Sequence, residues 1–133
     1  MTPTNEQSGS SKLTELLTNL NKEGGFPISI LTDAQGLAIA SAAEEGMNPD
    51  RQSAVVAFIQ KTATQVARQL GFSGSEEISL VDTDGRHLVC RSFRAHQYEL
   101  ILSVMVPERN TSYRRATSHT IKQIIELWTK YWE

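Results

Sequence analysis

Two segments of this chain repeat one pattern: an apolar run, an Asp-x-x-Gly turn, and a second apolar run. The first is 26–32, Asp33-Ala34-Gln35-Gly36, then 37–41. The second is 78–81, Asp82-Thr83-Asp84-Gly85, then 86–93. Asp bonds to backbone ahead of it, and Gly takes the left-handed conformation that such four-residue turns often need. Each pattern therefore predicts a β-hairpin. A further strand, Tyr98 to Val106, follows a short turn at 94–97 and is ended by Pro107. Between the two hairpins lies one long helical segment, 48–70. Asn48 suits its N-cap, Pro49 its first position, Asp50 its dipole and Gly71 its C-terminal stop.

Two helices flank these elements. Leu13, Leu16, Leu17 and Leu20 form a narrow apolar stripe, with Ser10 or Ser11 as cap and Gly24-Gly25 as stop. The polar residues 1–10 are expected to be a disordered tail before a single domain over 11–133. From about residue 112 to Trp132 a final helix carries Ile121, Ile124, Ile125 and Trp128. Its last turn, with Tyr131 and Trp132, either covers extra core or binds something. The predicted order is α-β-β-α-β-β-β-α, an α+β sandwich. Two hairpin groups joined by one helix favour a five-stranded antiparallel sheet. The segments 26–32 and 98–106 are apolar on both alternating faces, so they belong at its centre, covered on both sides. The short strands 37–41 and 78–81 then become edges.

A length of 133 residues suits one domain, and 39% hydrophobic residues suffice for one core. No run is long and apolar enough for a membrane span, and the start does not look like a signal peptide. The single cysteine, Cys90, cannot form an internal disulfide, which points to the reducing cytoplasm. The net charge of −2 hides an uneven distribution: residues 86–122 carry +5 and the remainder −7. A basic surface of this kind attracts phosphates or an acidic partner, or is simply solvated. Nucleic acid is not the expected partner: the pI is about 5.9 and the middle strands lack stacking aromatics. Arg114-Arg115 opposes the dipole at the start of the last helix and hints weakly at an anion or partner.

Catalytic chemistry is hard to build from these residues. His87 and Cys90, three apart on one strand, leave opposite faces, so no local dyad forms. Cys90 is read as a buried small hydrophobe. There is no Cys-x-x-Cys or His-x-x-x-His, and Asp82-Thr83-Asp84-Gly85 lacks the later ligands of a calcium loop. Glu76 and Glu77 are adjacent on a strand and diverge. Gly24-Gly25 precedes a strand, so it aims no helix N-terminus at a phosphate. No catalytic residue, cofactor or metal site is expected.

The middle helix is more informative. On a wheel of about 100° per residue centred on Ile59, Val55, Ala63, Val66 and Leu70 fall within about 40°. Val56 and Ala67 lie somewhat further round. That arc is expected to face the sheet. Phe58 lies about 100° to one side, near Ala54, Thr62 and Gln65. Either the buried arc is wide, or this flank meets a second subunit or another partner. The edge strand 78–81 has no Pro or Lys to guard it, so two copies would pair edge to edge around a twofold axis.

The hairpin Ile28-Ser29-Ile30-Leu31-Thr32-Asp33-Ala34-Gln35-Gly36-Leu37-Ala38-Ile39-Ala40-Ser41 resembles the opening of the Roadblock family. The helix ending Arg68-Gln69-Leu70-Gly71 and the meander through 78–107 are similar to the rest of that domain. The resemblance spans roughly residues 12–130. It implies a five-stranded antiparallel sheet in the order 2-1-5-4-3 with helices on both faces, and a homodimer through the central helix and third strand. It also implies a non-enzymatic regulator of a small Ras-like GTPase in the cytoplasm. The alternative is a scaffold subunit, like a dynein light chain, without effect on nucleotide turnover. On either reading Arg51, Ala54, Phe58, Thr62, Gln65, Ile78, Ser79 and Leu80 would stand at the dimer or partner interface. A third reading, a small-ligand sensor of related topology, needs a pocket between sheet and helix, and the apolar arcs are expected to fill that space.

Overall fold

The computed structural model describes residues 5–132. The elements are α1 (Asn5–Gly24), β1 (Ile28–Asp33), β2 (Ala38–Ala43), α2 (Pro49–Leu70), β3 (Glu77–Val81), β4 (His87–Ala95), β5 (Tyr98–Val106) and α3 (Arg114–Trp132). All five strands join one antiparallel sheet in the order β2-β1-β5-β4-β3. Fold class, element order and sheet order agree with the sequence reading. Most element ends shift by one or two residues, and one boundary moves further. Helix α1 starts at Asn5, ahead of the expected caps at Ser10 and Ser11, so 5–10 belong to the helix. Residues 1–4 of the expected tail lie outside the described residues. The early start has a tertiary cause: Trp132 packs over Gly9, where a Cβ would collide with its indole.

Local chemistry sets the turns. Asp33 Oδ1 accepts from the backbone of Gln35 and Leu37, and Gly36 takes φ 85°. Gly36 is also required sterically, since a Cβ there would strike Ala57 of α2. That contact fastens the first hairpin to the helix. Asn48 caps α2 by accepting from Arg51 N at 3.1 Å, and Gly71 ends it at φ 73°.

The sheet separates two unequal layers. On one face α1 and α3 lie side by side. Leu13, Leu17 and Leu20 of α1 meet Leu31, Leu102 and Val104 of the sheet, with Ile124 and Trp128 of α3 closing the layer. On the other face α2 lies alone over a smaller cluster of Val56, Leu88, Cys90 and Ile101. The central strands β1 and β5 are buried on both faces, as their sequences require. Buried polar groups there are satisfied: Ser29 Oγ donates to the Leu17 carbonyl, and Gln52 Nε2 of α2 donates to Ser103 Oγ of β5 at 3.1 Å. Trp128 stacks on Trp132 with centroids 4.6 Å apart. The aromatic last turn of α3 thus covers core.

Candidate interaction surface

Helix α2 does not sit where its apolar arc predicts. Its residues buried against the protein are Gln52, Ser53, Val56 and Ala67. Val55, Val66 and Leu70, expected to face the sheet, are exposed instead. The arc is right in part, since Ile59 at its centre packs on the sheet-face cluster and Val56 and Ala67 are buried, but counting only apolar residues turned its centre away from the Val56 and Ala67 side. The sheet selects Gln52 because Ser103 offers it a partner. Rotated in this way, the helix presents Val55, Phe58, Thr62, Val66 and Leu70 along one strip. Their spacings of three and four residues keep them in line. Phe58 is 72% exposed. Thr62 Oγ1 donates to the Phe58 carbonyl at 3.0 Å, which satisfies the hydroxyl within the helix.

The helix is also off-centre. It approaches β1 and β2 more closely than β3 and β4. Beside its first turns a groove of about 310 Å³ remains, lined by Ile28, Met47, Val55, Leu88 and Met105. At the sheet margin β3 pairs only with β4, so its outer edge is open. Ile78 and Leu80 pair with Cys90 and Leu88, which places them on the α2 face. Ile78 is half-buried, while Leu80 is 63% exposed. Ser79 points to the opposite face and is exposed. Arg51, Ala54 and Gln65 are exposed on α2. The structure therefore gathers Phe58, Thr62, Ile78 and Leu80 on one side of the molecule and adds Val55, Val66 and Leu70 to them. Ser79 belongs to the edge but not to that face.

The opposite face of β3 is tied to α3. Glu77 accepts from the Tyr113 hydroxyl at 2.6 Å and from Arg114 at 3.2 Å, with Arg91 3.7 Å away. Arg91 also donates to Thr117 and Ser118. The Glu77 carboxylate pushes the Tyr113 phenol above its usual range. Arg86 pairs with Asp82, and Arg94 with Glu99. Four of the seven basic groups in 86–122 are thus answered internally. The dipole mismatch of Arg114 is answered by Glu77 and by the Tyr113 ring, 5.6 Å away. Reading Glu76 and Glu77 only as a failed acid pair missed this brace. Its signal was the arginine in the next strand and at the start of the last helix.

Cys90 and His87 do leave opposite faces of β4. Cys90 packs under α2, and His87 lies edge-on to Tyr113 at 5.5 Å. Burial pushes the Cys90 thiol up to about 12, far from the range of a nucleophile. Among the described residues no group of His, Cys, Asp and Glu is arranged to hold a metal ion. No helix among them is long and apolar enough to cross a membrane.

The fold matches solved structures closely in shape and distantly in sequence. MglB in a tetrameric arrangement superposes with a TM-score of 0.65 at 16% identity, covering 92% of this chain and 89% of that one. Myxococcus xanthus MglB gives 0.65 at 17%, covering 90% and 86%. A Roadblock/LC7 domain from Streptomyces avermitilis gives 0.64 at 14%, covering 89% and 95%. The chain has the Roadblock fold. No family profile matches the sequence, and no curated protein does. The likeness therefore lies in topology and packing. Helix α2 and the Ile78 and Leu80 side chains of β3 lie on the same face of this sheet.

Proposed function

We propose that this Roadblock-fold chain is a homodimer whose paired α2 helices regulate a small Ras-like GTPase, without a catalytic site of its own. The observation that supports pairing most directly is the exposed apolar strip of α2 on the same sheet face as Ile78 and Leu80, whose strand β3 has an open outer edge. A twofold axis perpendicular to the sheet, beside the outer edge of β3, would join two sheets into one. Each α2, displaced toward β1 and β2, would leave room for its twin above the seam. Burying one large apolar side chain contributes about 1.5–3 kcal/mol, so Phe58, Val55, Val66 and Leu80 together would supply a stable contact. Arg51, Ala54 and Gln65 would then border the paired helices, where a partner could dock. The regulatory part of the reading rests on the resemblance to the Roadblock family. A regulator of this kind acts by binding one conformation of the GTPase better than another.

The test is to mix the protein with each small GTPase of its own genome and measure association, hydrolysis and nucleotide exchange. The proposal expects a complex and altered turnover with at least one of them, lost in Arg51→Glu. A complex with unchanged hydrolysis and exchange would make the protein an adaptor. No complex with any candidate would overturn the GTPase reading.

A further inference from the structure

The space between sheet and helix is not filled at the C-terminal half of α2. A cleft of about 470 Å³ opens there, within the size range of small-ligand pockets. It exists because α2 narrows to small side chains: Ala67 alone of its last two turns is buried. The floor is Ile101, 2% exposed. Beyond the floor the strands turn polar. Ser92 pairs with Ile101 and Arg94 with Glu99 in successive registers on the α2 face. Arg68, in the last turn of α2, borders the cleft from above. Gly71 turns the chain so that Phe72, 61% exposed, stands at the mouth.

Three features of this cleft call for a ligand. Gln60 Oε1 is buried there with no hydrogen-bond partner, an acceptor that needs a donor. Arg68 has no ion pair among the described residues, so a carboxylate would complement it. The Arg94–Glu99 pair is long, 3.8 Å, and both side chains are largely exposed. Such a pair contributes little and parts readily. Separated, it offers one positive and one negative group above an apolar floor. The cleft is lined by Gln60 and Thr64, which stand about 120–160° round α2 from Phe58.

We propose that this cleft binds a free α-amino acid with an apolar side chain. The carboxylate accepts hydrogen bonds from Arg68 and Arg94. The ammonium donates to Glu99 and Gln60 Oε1. The side chain rests on Ile101 and Ala67 beneath Phe72. A peptide C-terminus shares the carboxylate and side chain but lacks the ammonium, which makes the two occupants separable.

Isothermal titration of the full chain with leucine, N-acetylleucine and leucinamide tests the assignment. Leucine is expected to bind saturably. N-acetylleucine and leucinamide should each bind at least about tenfold more weakly, because each loses one charge-assisted contact. Glu99→Gln should weaken leucine by a similar factor and leave N-acetylleucine unaffected, and Arg68→Ala should weaken all carboxylates. These side chains are exposed, and unchanged thermal unfolding will confirm that the variants fold. No saturable binding of leucine up to about 10 mM would overturn the proposal. Equal binding of leucine and N-acetylleucine would also overturn it, in favour of a peptide end.

Discussion

The two faces of this sheet differ in how completely the chain covers them. The α1/α3 face is closed: Leu13, Leu17, Leu20, Ile124 and Trp128 are all at most 5% exposed. The α2 face is left half-finished. Its helix buries Val56 and Ala67 but leaves Phe58, Val66 and Leu70 in solvent, on a sheet face that ends at the open outer edge of β3. Both helical layers draw on amphipathic sequence, so composition does not separate them. What separates them is the number of helices. Two helices side by side bury each other's flanks, whereas one helix on a five-stranded sheet cannot bury both of its own. On the proposed dimer, the exposed strip on α2 is where the twin helix would lie, as α3 lies against α1.

This contrast sets the size of mutational effects. Trp128→Ala should cost the folded chain about 3–5 kcal/mol in urea denaturation, because it removes the ring that closes the α1/α3 layer. A cost near that of an exposed residue would mean that the two faces are equally loose. On the α2 face the anchor is polar. Ser103→Ala leaves Gln52 Nε2 buried without its acceptor and should cost about 1–3 kcal/mol. If the loss is negligible, Gln52 does not set the rotation of α2. A smaller effect is expected at the β3 brace. In Glu77→Gln the Tyr113 phenol should titrate closer to its ordinary value, read by absorbance in alkali. The sign follows from the raised pKa in the fold. The brace stabilises the protein in full below the ordinary tyrosine range, and its contribution is lost as pH rises through the elevated value of Tyr113. Glu77→Gln should flatten that alkaline loss. Smallest of all, Cys90 in the native protein should resist alkylation at neutral pH and react once the chain is unfolded, since burial holds its thiol near 12.

The legible parts of the fold were those fixed by local chemistry. Asp33 and Gly36 make their turn with neighbouring backbone, and Asn48, Pro49 and Gly71 bound α2 within a few residues of themselves. The early start of α1 was illegible because its cause, Trp132 over Gly9, comes from the far end of the chain. The site was half legible. Phe58 stood out because it lies about 100° from the centre of the apolar arc, and the structure leaves it exposed. Val55, Val66 and Leu70 did not, because the wheel assumed that the apolar side faces inward, and the Gln52–Ser103 bond turns it away. The cleft near Gln60 was hidden for a similar reason: pattern reports which way side chains point, and not how much volume Ala67 leaves empty.

The missing neighbour of α2 is the central claim, and the solution mass tests it most directly. Light scattering after gel filtration at micromolar concentration should give about twice the 14.8 kDa of one chain. Phe58→Glu should halve that mass while its circular dichroism stays that of a folded protein. A wild-type monomer under those conditions, or a Phe58→Glu protein that remains a dimer, would contradict the account.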